Sequence, residues 1–404
     1  MPQPVLVAGA RTPIGKLLGA LSPLTAPALA GAAIRAALDR AGITGDQVDS
    51  VIMGNVVQAG VGPSAARLGA VAGGIPMRAP ATTVNKLCLS GLASIAQAAL
   101  QVAAGYSEIV VAGGTESMSN APHLLPGSRR GFRYGDAAFL DSLDADALVC
   151  GFDGISMGAA TERYKAAFAI TREDQDAFAA ESHARAAAAA KDGRLAEEIV
   201  PVTVPGRRGA VNVDHDEGVR PETTAEKLGA LPAAFGENGT ITAGTASQLS
   251  DGACAVVVMS RERAGELGLP WLAEIGGYGT VAGPDPSLLL QPARAIRDAL
   301  RRDARARAAQ GLDAIGVADL DLVEINEAFA AVAIASMRDL GLPGGKVNVN
   351  GGAIACGHPV GMSGARIVLA LALELRRRGG GTGAAALCGG GGQGDALILR
   401  VPGA

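Results

Sequence analysis

Three features of the sequence predict an α/β fold with substantially parallel sheets. Short apolar runs alternate along the chain with longer Ala-rich stretches, as strands alternate with the helices that cover them. Runs such as Val256–Val258 are apolar without a polar face, which suits strands buried on both sides. One α/β segment also recurs. VNKLCLSGLASIAQAALQVAAGYSEIVVAGGTES, around residue 90, is echoed by GHPVGMSGARIVLALALELRRRGGGTGAAALCGGGGQG, around residue 360. Each passes from a loop through Ser-Gly into a helix, a small-residue turn, a buried strand and a Gly-rich loop, so Ser90 to Gly113 parallels Ser363 to Cys388. This reads as a duplicated α/β half whose loops meet at one site.

Composition narrows the function classes. Hydrophobic residues make up 49% of the 404 residues and aromatics 3%, so a large core must be built from Ala, Val, Leu and Ile. The net charge of −4 argues against nucleic-acid binding. The basic clusters Arg129, Arg130 and Arg133, Arg301–Arg307 and Arg376–Arg378 read as solvated faces or helix ends. The N-terminus lacks a signal-peptide pattern, and the most apolar helical stretch, Ile367–Leu375, is too short to span a bilayer. Five Cys without C-x-x-C spacing fit neither a disulfide framework nor a zinc site. The expectation is a protein of the reducing cytoplasm, with no membrane and no metal.

Val5–Ala8 and Val51–Met53 are the first strands, flanking the Ala-rich helix Ala28–Ala41. Cys88, in Asn85-Lys-Leu-Cys-Leu-Ser-Gly, directly precedes the helix Leu92–Ala104. A thiol there feels the positive helix end, which favours thiolate, and its N–H is free for an anion. A small buried core residue is the alternative. After the strand Ile109–Ala112 the texture changes: residues 120–249 carry charged helices and Pro/Gly punctuation, and read as an insertion before the strand Ala255–Met259. Within it His183 is expected on the surface of the helix Arg172–Lys191. Neither it nor His123 nor His215 has metal-ligand spacing.

The helix Pro292–Arg307 and the strand Leu322–Ile325 follow. Asn326 then opens the helix Glu327–Leu340, either as its N-cap or as an amide orienting a water or a His, and Glu327 complements the helix dipole. His358 sits between Gly357 and Pro359, which stiffens its loop ahead of the helix Gly364–Arg378. An imidazole beside a thiol is the base that activates it. The strand Ala384–Leu387 ends at Cys388, followed by Gly389-Gly-Gly-Gly-Gln-Gly and the last strand, Ala396–Leu399. Too few residues remain for a dinucleotide-binding unit, so the loop is read as backbone N–H donors for an oxyanion, with Cys388 as an acid/base beside them.

Taken together, NKLCLSGL, GGTESMS, NEAFA, GGAIACGHPVGMSG and CGGGGQG, in this order, resemble the thiolase family over nearly the whole chain. The resemblance implies two similar βαβαβαββ halves in an α-β-α-β-α layered arrangement. The halves are expected at 1–119 plus 250–275 and at 276–404, with an inserted loop domain at 120–249 for CoA binding and subunit contacts. It implies reversible Claisen condensation of two acetyl-CoA to acetoacetyl-CoA and CoA through an acyl-cysteine, with CoA and acyl-CoA as substrates and no permanently bound cofactor. Cys88 is then the nucleophile, His358 its base and part of a first oxyanion hole, and Asn326 the holder of the oxyanion water. Cys388 is the acid/base at the α-carbon. The N–H groups of Cys88 and Gly390 form a second oxyanion hole. Arg220, Ser247, Ala243 and Gly244 are the expected CoA contacts. Asn120–Leu143 resembles the loop used in the family for tetramer contacts, which implies a homotetramer built as a dimer of dimers.

Three residues depart from the family pattern. Leu89 follows the nucleophile where Gly or Ala is usual, and so could narrow the acyl pocket. Ser156 replaces a His common in short-chain members, and Cys356 is unusual two residues before His358. The Ser156 departure keeps open a 3-ketoacyl-CoA thiolase of β-oxidation. Outside that activity stand an inactive acyl-CoA-binding relative and a decarboxylating ketosynthase. The two thiols around one imidazole disfavour the former, and Cys388 disfavours the latter.

Overall fold

The computed structural model describes residues 2–206 and 209–403. Each expected strand lies inside an observed one, from Val5–Ala8 within Pro4–Arg11 to Ala396–Leu399 within Gln393–Val401. Ala81–Val84 and Ala273–Ala282 were not anticipated: the first is Thr-rich and half-buried, and the second is interrupted by Gly276, Gly277 and Gly279.

Among the described residues, ten of the fourteen strands form one sheet. Its order is Leu322–Ile325, Gly381–Gly389, Gln393–Val401, Ala273–Ala282, Pro4–Arg11, Ser250–Ser260, Ile109–Ser117, Ser50–Gly54 and Ala81–Val84, with Gly15–Lys16 alongside Ser250–Ser260. The path repeats itself. Ala81–Val84, Ser50–Gly54, Ile109–Ser117, Ser250–Ser260 and Pro4–Arg11 are matched by a bridge at Val347, then Leu322–Ile325, Gly381–Gly389, Gln393–Val401 and Ala273–Ala282. The halves join where Val5 and Leu6 pair with Glu274 and Ala273.

The expectation of substantially parallel sheets is corrected. Only Ser50–Gly54 with its two neighbours and Leu322–Ile325 with Gly381–Gly389 are parallel; the other pairs of long strands are antiparallel. Apolar runs buried on both faces carry no record of direction, and a strand need not be followed by a crossover helix. Gly381–Gly389 turns straight back into Gln393–Val401 through Gly391 and Gly392, at φ 74° and 69°, a left-handed conformation that favours glycine.

Side-chain alternation builds the layers. Val110 and Ala112 face one core with Ala385, Leu387, Leu397 and Leu399, and between them lie the helices Ser90–Ala103 and Ser363–Arg377. Ile109 and Val111 face the helix Ala26–Ala41 instead, while Ala384, Ala386 and Ile398 face the helix Gln291–Ala308. The result is five layers, α-β-α-β-α. The middle helices touch backbone to backbone: a Cβ on Gly91 would meet Ala365 N, and one on Gly364 would meet Leu92 N. The repeated Ser-Gly is therefore a contact between the halves. Among the described residues no helix is long and apolar enough to cross a membrane.

Candidate active site

Cys88 stands two residues before the helix Ser90–Ala103. Leu87 adopts φ 53°, rare for a residue with a Cβ, and turns the loop sharply. Ser90 secures this turn, accepting from Lys86 N–H at 2.8 Å and donating to Leu87 O at 2.6 Å. The N–H groups of Cys88 and Gly390 favour the thiolate, but burial outweighs them and pushes the thiol up to about 11. Burial thus works against the thiolate that the helix end favours. A helix end contributes at most about 2 kcal/mol, and desolvation of the charged form exceeds it here.

His358 is buried, and its Nδ1 lies 2.6 Å from Ser363 Oγ. Burial, with Arg366 adding repulsion, pushes the imidazole down to about 4. Burial thus favours the uncharged form of both the thiol and the imidazole. Asn326 Nδ2 lies 3.5 Å from His358 Nε2, and Asn326 Oδ1 finds no partner among the described residues. Asn326 is not a helix cap: the helix begins at Ala330, after Phe329. The dipole account of Glu327 is corrected with it. Glu327 is buried, accepting from Ser182 Oγ at 2.7 Å, Asn348 Nδ2 at 2.8 Å and Ile354 N–H at 3.0 Å.

Cys388 is the penultimate residue of the strand Gly381–Gly389 and is buried, and burial holds its thiol well above the usual range, with Cys88 adding to the rise. Leu89 is not on the pocket wall. It is fully buried, and its side chain fills the space a Cβ on Gly389 would need. A Cβ on Gly390 would strike Met157 and Leu87.

Cys88, His358, Cys388 and Gly390 share one cavity of about 440 Å³, walled by apolar side chains including Met118, Leu148, Met157, Phe235 and Leu288. Ala243 and Ser247 line it too. Gly244 does not; it packs under Leu228 and Leu231. Arg220 is exposed and off the cavity wall, and its N–H donates to His183 Nδ1 at 3.1 Å. His183 itself is buried, not on the surface, and burial pushes it down to about 4. An Ala-rich helix gives no pattern from which its buried face can be read.

Two residues were missed by the sequence reading. Gln248 Nε2 lies 3.0–3.2 Å from three carbonyl oxygens, Gly218 O, Ile354 O and Ala355 O, which share its two hydrogens, and Gln248 O accepts from His358 N–H at 3.0 Å. Glu116 is buried and accepts from Asn55 Nδ2, Val56 N–H, Val57 N–H and Gly361 N–H at 2.8–3.2 Å. A carboxylate near the end of a strand that begins Ile-Val-Val-Ala was its available signal. The repeat explains its place. Gly54 pairs with Gly114 and Ile325 with Ala386, so Asn55 corresponds to Asn326 and Glu116 to Cys388.

Two thiols and one imidazole are thus drawn from both halves of a duplicated α/β fold onto one apolar cavity. Residues 4–262 match the N-terminal domain of thiolase and residues 269–401 its C-terminal domain. A probable acetyl-CoA acetyltransferase of Mycolicibacterium smegmatis is 55% identical over 98% of this chain and 100% of its own. The acetyl-CoA acetyltransferase of Cupriavidus necator is 48% identical over 97% of this chain and 98% of its own. A probable acetyl-CoA acyltransferase of Staphylococcus epidermidis is 43% identical over 92% of each chain. The chain belongs to the thiolase family, and it is an acyltransferase.

Proposed function

We propose that the protein condenses two acetyl-CoA reversibly to acetoacetyl-CoA and CoA by a ping-pong route through acetyl-Cys88. The observation that carries this reading is the meeting of Cys88, His358 and Cys388 on one cavity wall. The names of the relatives from Mycolicibacterium smegmatis and Cupriavidus necator support the acetyl substrate.

His358 Nε2 takes the Cys88 proton as the sulfur attacks the thioester carbonyl. The oxyanion is held by the resulting Nε2–H and by a water on Asn326. CoA leaves as the thiol with the proton of Cys388, so Cys388 is left as thiolate beside imidazolium. A second acetyl-CoA enters, and Cys388 removes its α-proton. The enolate oxygen rests on the N–H groups of Cys88 and Gly390, and its carbon attacks acetyl-Cys88. Cys88 departs and recovers its proton from His358, which closes the cycle. Two oxyanion holes are needed because charge develops at two carbonyls, and loss of one such donor costs about 2.7–4 kcal/mol of barrier.

Ser247 and Ala243 are suited to the pantetheine arm by their place on the cavity wall, and the exposed Arg220 to the nucleotide end. Residues 120–249 act as the inserted domain covering the site. Exposed Phe132, Tyr134 and Phe139 in the arm 120–143 support a homotetramer built as a dimer of dimers. Five free cysteines suit a reducing cytoplasm.

A second reading, a 3-ketoacyl-CoA thiolase of β-oxidation, is favoured by one observation. Ser156 lies on the cavity wall, but its Oγ is engaged by Ala159 N–H at 3.2 Å, which leaves a small, apolar-flanked position. CoA-dependent thiolysis across 3-ketoacyl chain lengths decides between them. Activity confined to acetoacetyl-CoA supports the first reading, activity on longer chains supports the second, and none at any length removes both.

A further inference from the structure

We infer that Ser363 is a positioning residue: it fixes the proton of neutral His358 on Nδ1 and leaves the Nε2 lone pair facing the cavity. This rests on the reading of His358 as the base for Cys88. Ser363 is fully buried at the first turn of the helix Ser363–Arg377. Its Oγ lies 2.6 Å from His358 Nδ1 and 3.0 Å from Pro359 O. A carbonyl oxygen cannot donate, and a hydroxyl has one proton. With that proton on Pro359 O, the hydroxyl can only accept from the ring, so Nδ1 carries hydrogen. Turning the hydroxyl toward Nδ1 instead would set two oxygen lone pairs against each other at 3.0 Å.

The other half of the fold shows the same wiring without ambiguity. Ser90, the counterpart of Ser363, accepts from Lys86 N–H at 2.8 Å and donates to Leu87 O at 2.6 Å. An amide N–H can only donate, so the direction at Ser90 is fixed: one N–H enters the hydroxyl and one carbonyl receives its proton. In the second half the entering N–H comes from an imidazole. On the far side of the ring, Asn326 Nδ2 lies 3.5 Å from Nε2. Without the hydroxyl, the ring proton is free to move to Nε2, and the lone pair is withdrawn from Cys88.

The chain has four histidines, so ¹⁵N labelling of the imidazoles gives a readable spectrum. His183 is an internal opposite, since its Nδ1 accepts from Arg220 N–H and its proton must sit on Nε2. His358→Asn assigns the His358 signals. The wild-type protein at neutral pH is expected to show His358 protonated at Nδ1 and bare at Nε2. Ser363→Ala should move proton density to Nε2 and slow acetylation of Cys88 by acetyl-CoA by on the order of 10- to 100-fold, with KM nearly unchanged. Ser363→Thr, which keeps the hydroxyl, should restore both. A wild-type His358 protonated at Nε2 overturns the inference, and so does Ser363→Ala acetylating at the wild-type rate. Should Ser363→Ala fail to fold, the wild-type spectrum decides alone. A wild-type protein with the Nδ1–H tautomer but no acetylation of Cys88 would count against the proposed function and leave the tautomer standing.

Discussion

Lys86 Nζ lies 2.7 Å from Asp395 Oδ1, and this ion pair clamps the loop that carries Cys88 to a strand of the opposite half. Asp395 is fully buried and also accepts from Tyr278 OH at 2.8 Å, while Lys86 donates to Thr280 Oγ1 at 2.8 Å. Asp395→Asn leaves Lys86 without its counter-charge. Lys86 keeps 25% of its side chain in solvent, so the expected loss is near the low end for a broken buried pair, about 3 kcal/mol. Urea unfolding measures it, and an unchanged midpoint would show that the clamp is unimportant.

Gly390→Ala forces a Cβ against Met157 and Leu87 and displaces the N–H that faces Cys88. By the proposed route this donor serves the enolate. Condensation should then fall about 10²–10³-fold while Cys88 still acetylates. Equal loss in both half-reactions, measured by single-turnover kinetics, would place the donor elsewhere.

Leu89→Ala opens a void beneath Gly389. The expected cost is about 2–5 kcal/mol of stability, with no gain of activity on longer acyl chains, because Leu89 is fully buried and off the cavity wall. A broadened chain-length profile without loss of stability would return Leu89 to the pocket.

The pH dependence of Cys88 follows from its burial. A thiol pushed up to about 11 stays protonated through neutral pH and ionises only as pH rises toward that value. The 240 nm absorbance lost in Cys88→Ser should therefore be negligible at pH 7 and emerge only in the alkaline range. A thiolate signal already present at pH 6 would mean a resting thiolate–imidazolium pair instead.

Some parts of this molecule are more legible in its sequence than others. The strand segments and the duplicated Ser-Gly helices were legible because apolar runs and repeats are written locally. Cys88, His358 and Cys388 were legible because reactive residue types stood on Gly-rich loops or before a helix, and the structure brings all three to one cavity. Strand direction was not legible, since Gly381–Gly389 looks the same whichever way its neighbour runs. Nor were the buried polar residues that hold the loops. Glu327 looked like a first-turn acid and His183 like a surface residue, because each finds its partners more than 20 positions away, at Ser182, Asn348 and Arg220 among others. The rise of the Cys88 thiol escaped for the same reason: helix position is local, but desolvation comes from the whole surround.

In the proposed mechanism, acyl groups pass through Cys88. The most direct test is peptide-mapping mass spectrometry after incubation with acetyl-CoA, on the wild type, Cys88→Ala and Cys388→Ser. The account predicts an acetyl adduct on Cys88 in the wild type, none at all in Cys88→Ala, and an adduct that still forms in Cys388→Ser, which condenses poorly. An acetyl adduct that persists in Cys88→Ala, or full turnover by Cys388→Ser, would contradict it.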